Sequence, residues 1–139
     1  MSTVTWTFWD YVDSSGQNAI EDWLNTFRQR TRIKITSKLV AIFERANAEG
    51  RLTYPRYETL KPPHNDLIVV RFERDKTQYR VFACYGNQGR GEIWLLAGGQ
   101  EQNDQYRPQG IRDTAIEHRT RILNRTSQVR PTCLLENNN

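Results

Sequence analysis

The order of periodic segments predicts an α+β protein: a strand, two helices, four strands and a last helix, with an antiparallel sheet. Three observations carry this. Val4–Tyr11 alternates apolar and polar side chains in the manner of a strand. Two segments with helical spacing then follow one another without an intervening strand. Strands next occur in succession rather than alternating with helices, which separates this class from the parallel α/β folds.

Within the first strand, Val4, Trp6 and Phe8 share one side and threonines the other. Asp13-Ser14-Ser15-Gly16 is turn chemistry. Asn18, with Glu21 three residues on, marks a capped helix start, and Ile20, Trp23, Leu24 and Phe27 form one apolar stripe. A second helix is expected from about Thr31 to Ala48, burying Ile35, Leu39, Ile42, Phe43 and Ala46, and Gly50 is placed to end it. Such a helical pair cannot bury its apolar face alone and needs a sheet to pack on.

After Tyr54-Pro55, Tyr57–Lys61 reads as a short edge strand stopped by Pro62. Leu67–Arg74 and Thr77–Tyr85 are the central strands, closing as a hairpin around Asp75-Lys76 with Arg74 opposite Thr77. In that register Ile68, Val70 and Phe72 join Tyr79, Val81 and Ala83 on the face that receives the helices. Glu92–Ala97 is a further strand, and the Gly86–Gly91 loop before it reads as a hairpin loop, because a phosphate cradle would open a helix. Pro108 suits the first turn of a final helix, which carries Ile111, Ala115, Ile122 and Leu123 and ends near Asn124. Residues 1–125 are expected as one domain, and 126–139, polar and closing in three asparagines, as a flexible tail.

The chain has 139 residues, 37% of them hydrophobic, with four tryptophans, a composition of folded rather than disordered proteins. Its net charge of +4 comes from basic residues gathered in Arg28–Lys38, the central hairpin and Arg107–Arg130, which suits a polyanionic partner. The two cysteines, Cys84 and Cys133, lie far apart and suggest neither a disulfide frame nor a metal motif. No apolar run has transmembrane length and no signal peptide is read at the N-terminus, so a cytoplasmic setting without membrane contact is expected, and no cofactor.

The hairpin register also sets Arg71 against Arg80 on the opposite sheet face. Two cross-strand arginines at ~5 Å repel by roughly 1–3 kcal/mol unless an anion or a carboxylate lies between them. A phosphate fits a guanidinium fork; Glu73 or another acid would serve equally. Lys61, just upstream, could reach the same face, or could simply be a solvated strand end. Lysine, arginines and a tyrosine suffice in principle to cleave RNA without a metal, by attack of a ribose 2′-hydroxyl on its neighbouring phosphate. Lysine serves as the base in that step only when burial or neighbouring cations make its proton easier to lose. His64 belongs to a residue type suited to acid–base work, but its place after two prolines reads as a solvated loop, and His118 reads as surface.

The string LKPPHNDLIVVRFERDKTQYRVFACYGNQGRGEIWLLAGG, after YVDSSGQNAIEDWLNTF, resembles the RelE/HigB superfamily of bacterial toxins, and most closely its phage-derived branch. The likeness spans roughly Trp6 to Asn124, and its most specific part is the pairing of a strand ending in Arg-Phe with one opening Tyr-Arg-Val-Phe. It implies a RelE-like fold and a type II toxin: a small cytoplasmic endoribonuclease that cuts mRNA on the ribosome and is silenced by a cognate antitoxin protein. By the same resemblance Lys61 matches the basic residue before the first central strand, Arg71 the phosphate-binding arginine, Arg80 the hairpin arginine and Tyr106 the aromatic that stacks near the scissile nucleotide. Arg107 could serve beside it. Members of the family usually carry basic residues directly after the last strand, whereas Ala97–Asp104 has none here. A catalytically weak or inactive module that binds an antitoxin-like protein or RNA is therefore the alternative.

Overall fold

A computed structural model describes residues 5–52, 56–86 and 91–135. Among them the chain is α+β: β1 (Thr7–Val12), α1 (Ala19–Leu24), α2 (Gln29–Glu49), β2 (Tyr57–Thr59), β3 (Ile68–Arg74), β4 (Thr77–Tyr85), β5 (Glu92–Gln102), β6 (Gln105–Arg107), α3 (Ile111–Leu123) and β7 (Gln128–Pro131). The start of the predicted first strand at Val4, the Tyr54-Pro55 break and the interior of the Gly86–Gly91 loop lie outside the described residues.

Local signals place the first half. The Asn18 side chain accepts the backbone N–H groups of Ile20 and Glu21, both at 2.9 Å, and so caps α1. Gly50, at φ 73°, closes α2 by donating its N–H to the Ala46 carbonyl, a left-handed conformation that favours glycine. Asp75 and Lys76, at φ 52° and 67°, form the two-residue turn between β3 and β4, and this fixes Arg71 opposite Arg80.

The sheet is mixed rather than purely antiparallel, with seven strands among the described residues. Its order is β2-β3-β4-β5-β1-β7, and β6 adds to β5 beyond that path. The correction arises at β1, which lies parallel to β5, with Thr7 against Glu92 and Asp10 against Leu95. Flanked by β4 on one side and β1 on the other, β5 is covered on both faces. Its unbroken buried run from Ile93 to Gly99 is the pattern of such a strand.

Two cores result. On one face α1 and α2 lay Ile20, Leu24, Ile35, Leu39, Ile42 and Phe43 against Ile68, Val70, Phe72, Tyr79, Val81 and Leu95, with Trp23 and Phe27 packed at the margin. The Phe8 and Phe43 rings stack there with centroids 3.9 Å apart. On the other face Ile111 and Ala115 of α3 cover Leu67, Val69, Phe82, Cys84, Trp94 and Leu96. The apolar end of that face is thus closed, and Cys84 sits so deep that burial pushes its thiol up to about 12.

Three further differences from the sequence reading concern the C-terminal half. The third long strand continues through Gly98-Gly99 to Gln102 and turns back at Asn103 and Asp104, φ 53° and 62°, into β6. The last helix starts at Ile111, three residues after Pro108, with Gly110 as its N-cap. The expected flexible tail instead supplies β7, antiparallel to β1, then buries Leu134 in the first core and donates the Cys133 N–H to the Asp10 carboxylate at 2.8 Å. Among the described residues, no helix is long and apolar enough to cross a membrane.

Candidate functional site

Strand register composes the open end of the second sheet face. Glu73, Gln78, Glu101 and Tyr106 form one row across β3, β4, β5 and β6, and Arg71, Arg80 and Gly99 the next. A bulge produces this alignment. Phe82 pairs with Ala97 but Ala83 with Leu95, which leaves Leu96 as an extra residue in β5. An inserted residue reverses the facing of everything beyond it. Without it Glu101 would point at the helical hairpin; with it the carboxylate stands beside Arg80.

Arg80 is almost fully enclosed. Its guanidinium donates to the Tyr79 carbonyl at 2.9 Å and to Gln78 Oε1 at 2.6 Å, and pairs with Glu101 at 3.1 Å. Arg71, half-buried, pairs with Glu58 of β2. The charge conflict foreseen between the two arginines is therefore relieved by carboxylates, and the acids that the fold delivers are Glu58 and Glu101 rather than Glu73. A shallow hollow of about 250 Å³ remains beside them, lined by both arginines, Arg56, Glu73 and Gln78.

A larger groove of about 560 Å³ lies next to it, with Glu101 on its wall. Tyr106 lines this groove, set edge-on to Phe82 with centroids 5.2 Å apart, while the Arg112 guanidinium sits 5.0 Å from the Tyr106 ring centre. Gly99 lets β6 and α3 come this close: a Cβ there would lie 2.6 Å from the Arg107 carbonyl oxygen and from Ile111. His64 also lines the groove, and its Nε2 lies 2.8 Å from Asp113 Oδ1. Its side chain is only 14% exposed, which corrects the reading of a solvated loop residue.

Of the four residues singled out in the sequence, Arg71 and Arg80 stand side by side, and Tyr106 joins them through the row that contains Glu101. Lys61 does not. It is exposed and lines neither hollow. Its backbone carbonyl instead accepts the His64 N–H and helps to set the turn. Glu101, Arg112 and Asp113 carry no local signal in the sequence, and His64 reads there as a solvated loop residue; the Glu101–Arg80 and His64–Asp113 pairs each join chain segments remote in sequence. Among the described residues, no group of three or more His, Cys, Asp or Glu could hold a metal ion.

No family model, curated protein or solved structure matches the chain.

Proposed function

We propose that this chain is a toxin of the RelE/HigB type: a RelE-like, metal-independent endoribonuclease that cleaves mRNA in association with the ribosome and is silenced by a cognate antitoxin. The observation that carries the reading is the placement of Arg71, Arg80 and Tyr106 on one sheet face, with the arginines lining one hollow and Tyr106 the groove beyond Glu101. Two guanidiniums suit a phosphate that gains charge in the transition state, and an aromatic ring suits a neighbouring base. RNA carries its own nucleophile in the 2′-hydroxyl, so the chemistry asks only for charge stabilisation and proton transfer. Lys61, exposed and outside both hollows, would contribute long-range attraction rather than the base.

One observation favours a second reading. Each arginine already has a carboxylate partner, Glu58 or Glu101, and a phosphate must displace it. In that reading the scaffold binds an antitoxin-like protein or RNA without cutting it.

Inducible expression in a bacterial host separates the two, with growth and mRNA integrity as readouts. Arrested growth with cleaved mRNA is expected, and growth with intact mRNA selects the binding module. In the purified protein, replacing Arg71 or Arg80 with alanine should each lower cleavage by ~10²–10³-fold, the loss typical of a transition-state hydrogen-bond donor. Because both would hold one phosphate, the double variant should be little worse than the worse single one. Multiplicative losses would argue against a shared phosphate. Arg80→Lys serves as the control for folding, since Arg80 also ties β4 to β5.

A further inference from the structure

We infer that His64, oriented by Asp113, is the general base of this protein's RNA cleavage, acting in the groove between the His64 turn, β6 and the start of α3. The inference rests on the ribonuclease reading and supplies the proton acceptor that exposed Lys61 does not. The groove, about 560 Å³, is of a size that holds small ligands, roughly 300–1,000 Å³.

His64 is held at its backbone and at one ring nitrogen. Its backbone N–H donates to the Lys61 carbonyl and its own carbonyl accepts the Leu67 N–H, each at 3.0 Å, so the turn fixes where the ring begins. The 2.8 Å contact to Asp113 fixes the ring's orientation. A carboxylate only accepts hydrogen bonds, so Nε2 carries the hydrogen and Nδ1 of the neutral ring keeps its lone pair. Asp113 stands in the first turn of α3, where the helix end favours a negative side chain. The arrangement is that of an acid–base histidine with an orienting carboxylate, set beside a cation, Arg112, and an aromatic platform, Tyr106. The other charges lining the groove are Glu101 and Asp104 from the β5–β6 hairpin, with Glu101 already held by Arg80.

The step balances without a metal. Nδ1 takes the proton of the 2′-hydroxyl as the 2′-oxygen forms its bond to phosphorus. The bond from phosphorus to the 5′-oxygen breaks, and that oxygen leaves with the electron pair and takes a proton from water. The imidazolium then returns its proton to solvent. The products are a 2′,3′-cyclic phosphate and a 5′-hydroxyl end. Arg112 lines the same groove and Arg80 reaches its wall through Glu101, so guanidiniums stand on that side for the charge that gathers on the phosphate.

The test uses the full chain, alone and with ribosomes, on a short RNA and on the same RNA carrying one 2′-deoxy nucleotide at the cut site. His64→Gln should lower kcat by ~10²–10⁴-fold, the usual contribution of general base catalysis, while RNA binding is kept. Asp113→Asn is the second variant; its site is so exposed that the core is untouched. It should cause a smaller loss and change the pH–rate profile, which a merely structural role would leave unmoved. The 2′-deoxy RNA should bind uncut. If the wild type cuts and His64→Gln cuts within about threefold of it, the base is wrong and the ribonuclease reading stands. An Asp113→Asn profile identical to the wild type's would also overturn the orienting role. A wild type that cuts no RNA under either condition removes the ribonuclease reading, and the base with it.

Discussion

His118 shows how burial turns a side chain that reads as surface into a determinant of pH stability. Its ring stacks on Tyr11 at 3.8 Å, and its Nδ1–H donates to the Leu96 carbonyl at 2.8 Å. Burial holds the imidazole below its ordinary 6.5, with the Leu96 bond pulling the other way and nearby Arg121 adding to the depression. As pH falls, the unfolded chain therefore binds the proton first. The stabilising contribution is complete above about 6.5 and is lost as pH drops through that value toward the folded one. Thermal unfolding between about pH 8 and 5 should fall more steeply for the wild type than for His118→Phe, which keeps the stack and removes the titration. Equal slopes would place the proton elsewhere. Asp10, fully buried, acts at the same scale: its Oδ2 accepts the Asn18 amide at 2.9 Å and the Cys133 N–H, and so joins β1, the start of α1 and the C-terminal segment.

Among the elements, β5 and β7 do most to define the molecule. Gly98 brings β5 under the Trp23 ring, which a Cβ at that position would overlap, and the Leu96 bulge re-aims its last residues toward the arginines. β7 closes the outer edge of β1 and carries Leu134 into the core beneath α1 and α2. A flexible tail would make Leu134→Ala silent. The observed burial predicts a cost of about 2–5 kcal/mol, the range for truncating a buried leucine, read as a lower midpoint in denaturant unfolding. An unchanged midpoint would detach β7 and the Leu134 segment from the fold.

For the molecule as a whole, charge and shape separate. The formal charge is +4, yet around the candidate site arginines and carboxylates are interspersed, from Glu58 and Arg71 through Arg80 and Glu101 to Arg112 and Asp113. On the proposed reading, attraction of RNA belongs to the surface at large and the site selects what arrives. Affinity for a short single-stranded RNA should fall as salt rises, with a log–log slope of about −2 for three phosphate contacts. A flat dependence would rule out the polyanion partner. Cleavage, if observed, should persist in chelator, because the 2′-hydroxyl, the side chains and water supply every group that the step requires.

The amino-acid sequence alone settled whatever is decided within a few residues. Asn18 and Gly50 bound the helical hairpin through a cap and a left-handed glycine, and Asp75-Lys76 close a two-residue turn that leaves Arg71 and Arg80 no choice but to face each other. Tertiary structure decided what depends on distant partners. Nothing in the alternation of β1 names β5 as its parallel neighbour, and the polar stretch after Ser127 gives no sign of a strand until β1 offers an open edge. The carboxylates that neutralise the arginines come from β2 and from a bulge-shifted β5, and His64 meets Asp113 only because α3 packs across the sheet. Caps and tight turns are local hydrogen-bond problems with few solutions, whereas strand order, bulges and ion pairs are chosen by the packing of the whole chain.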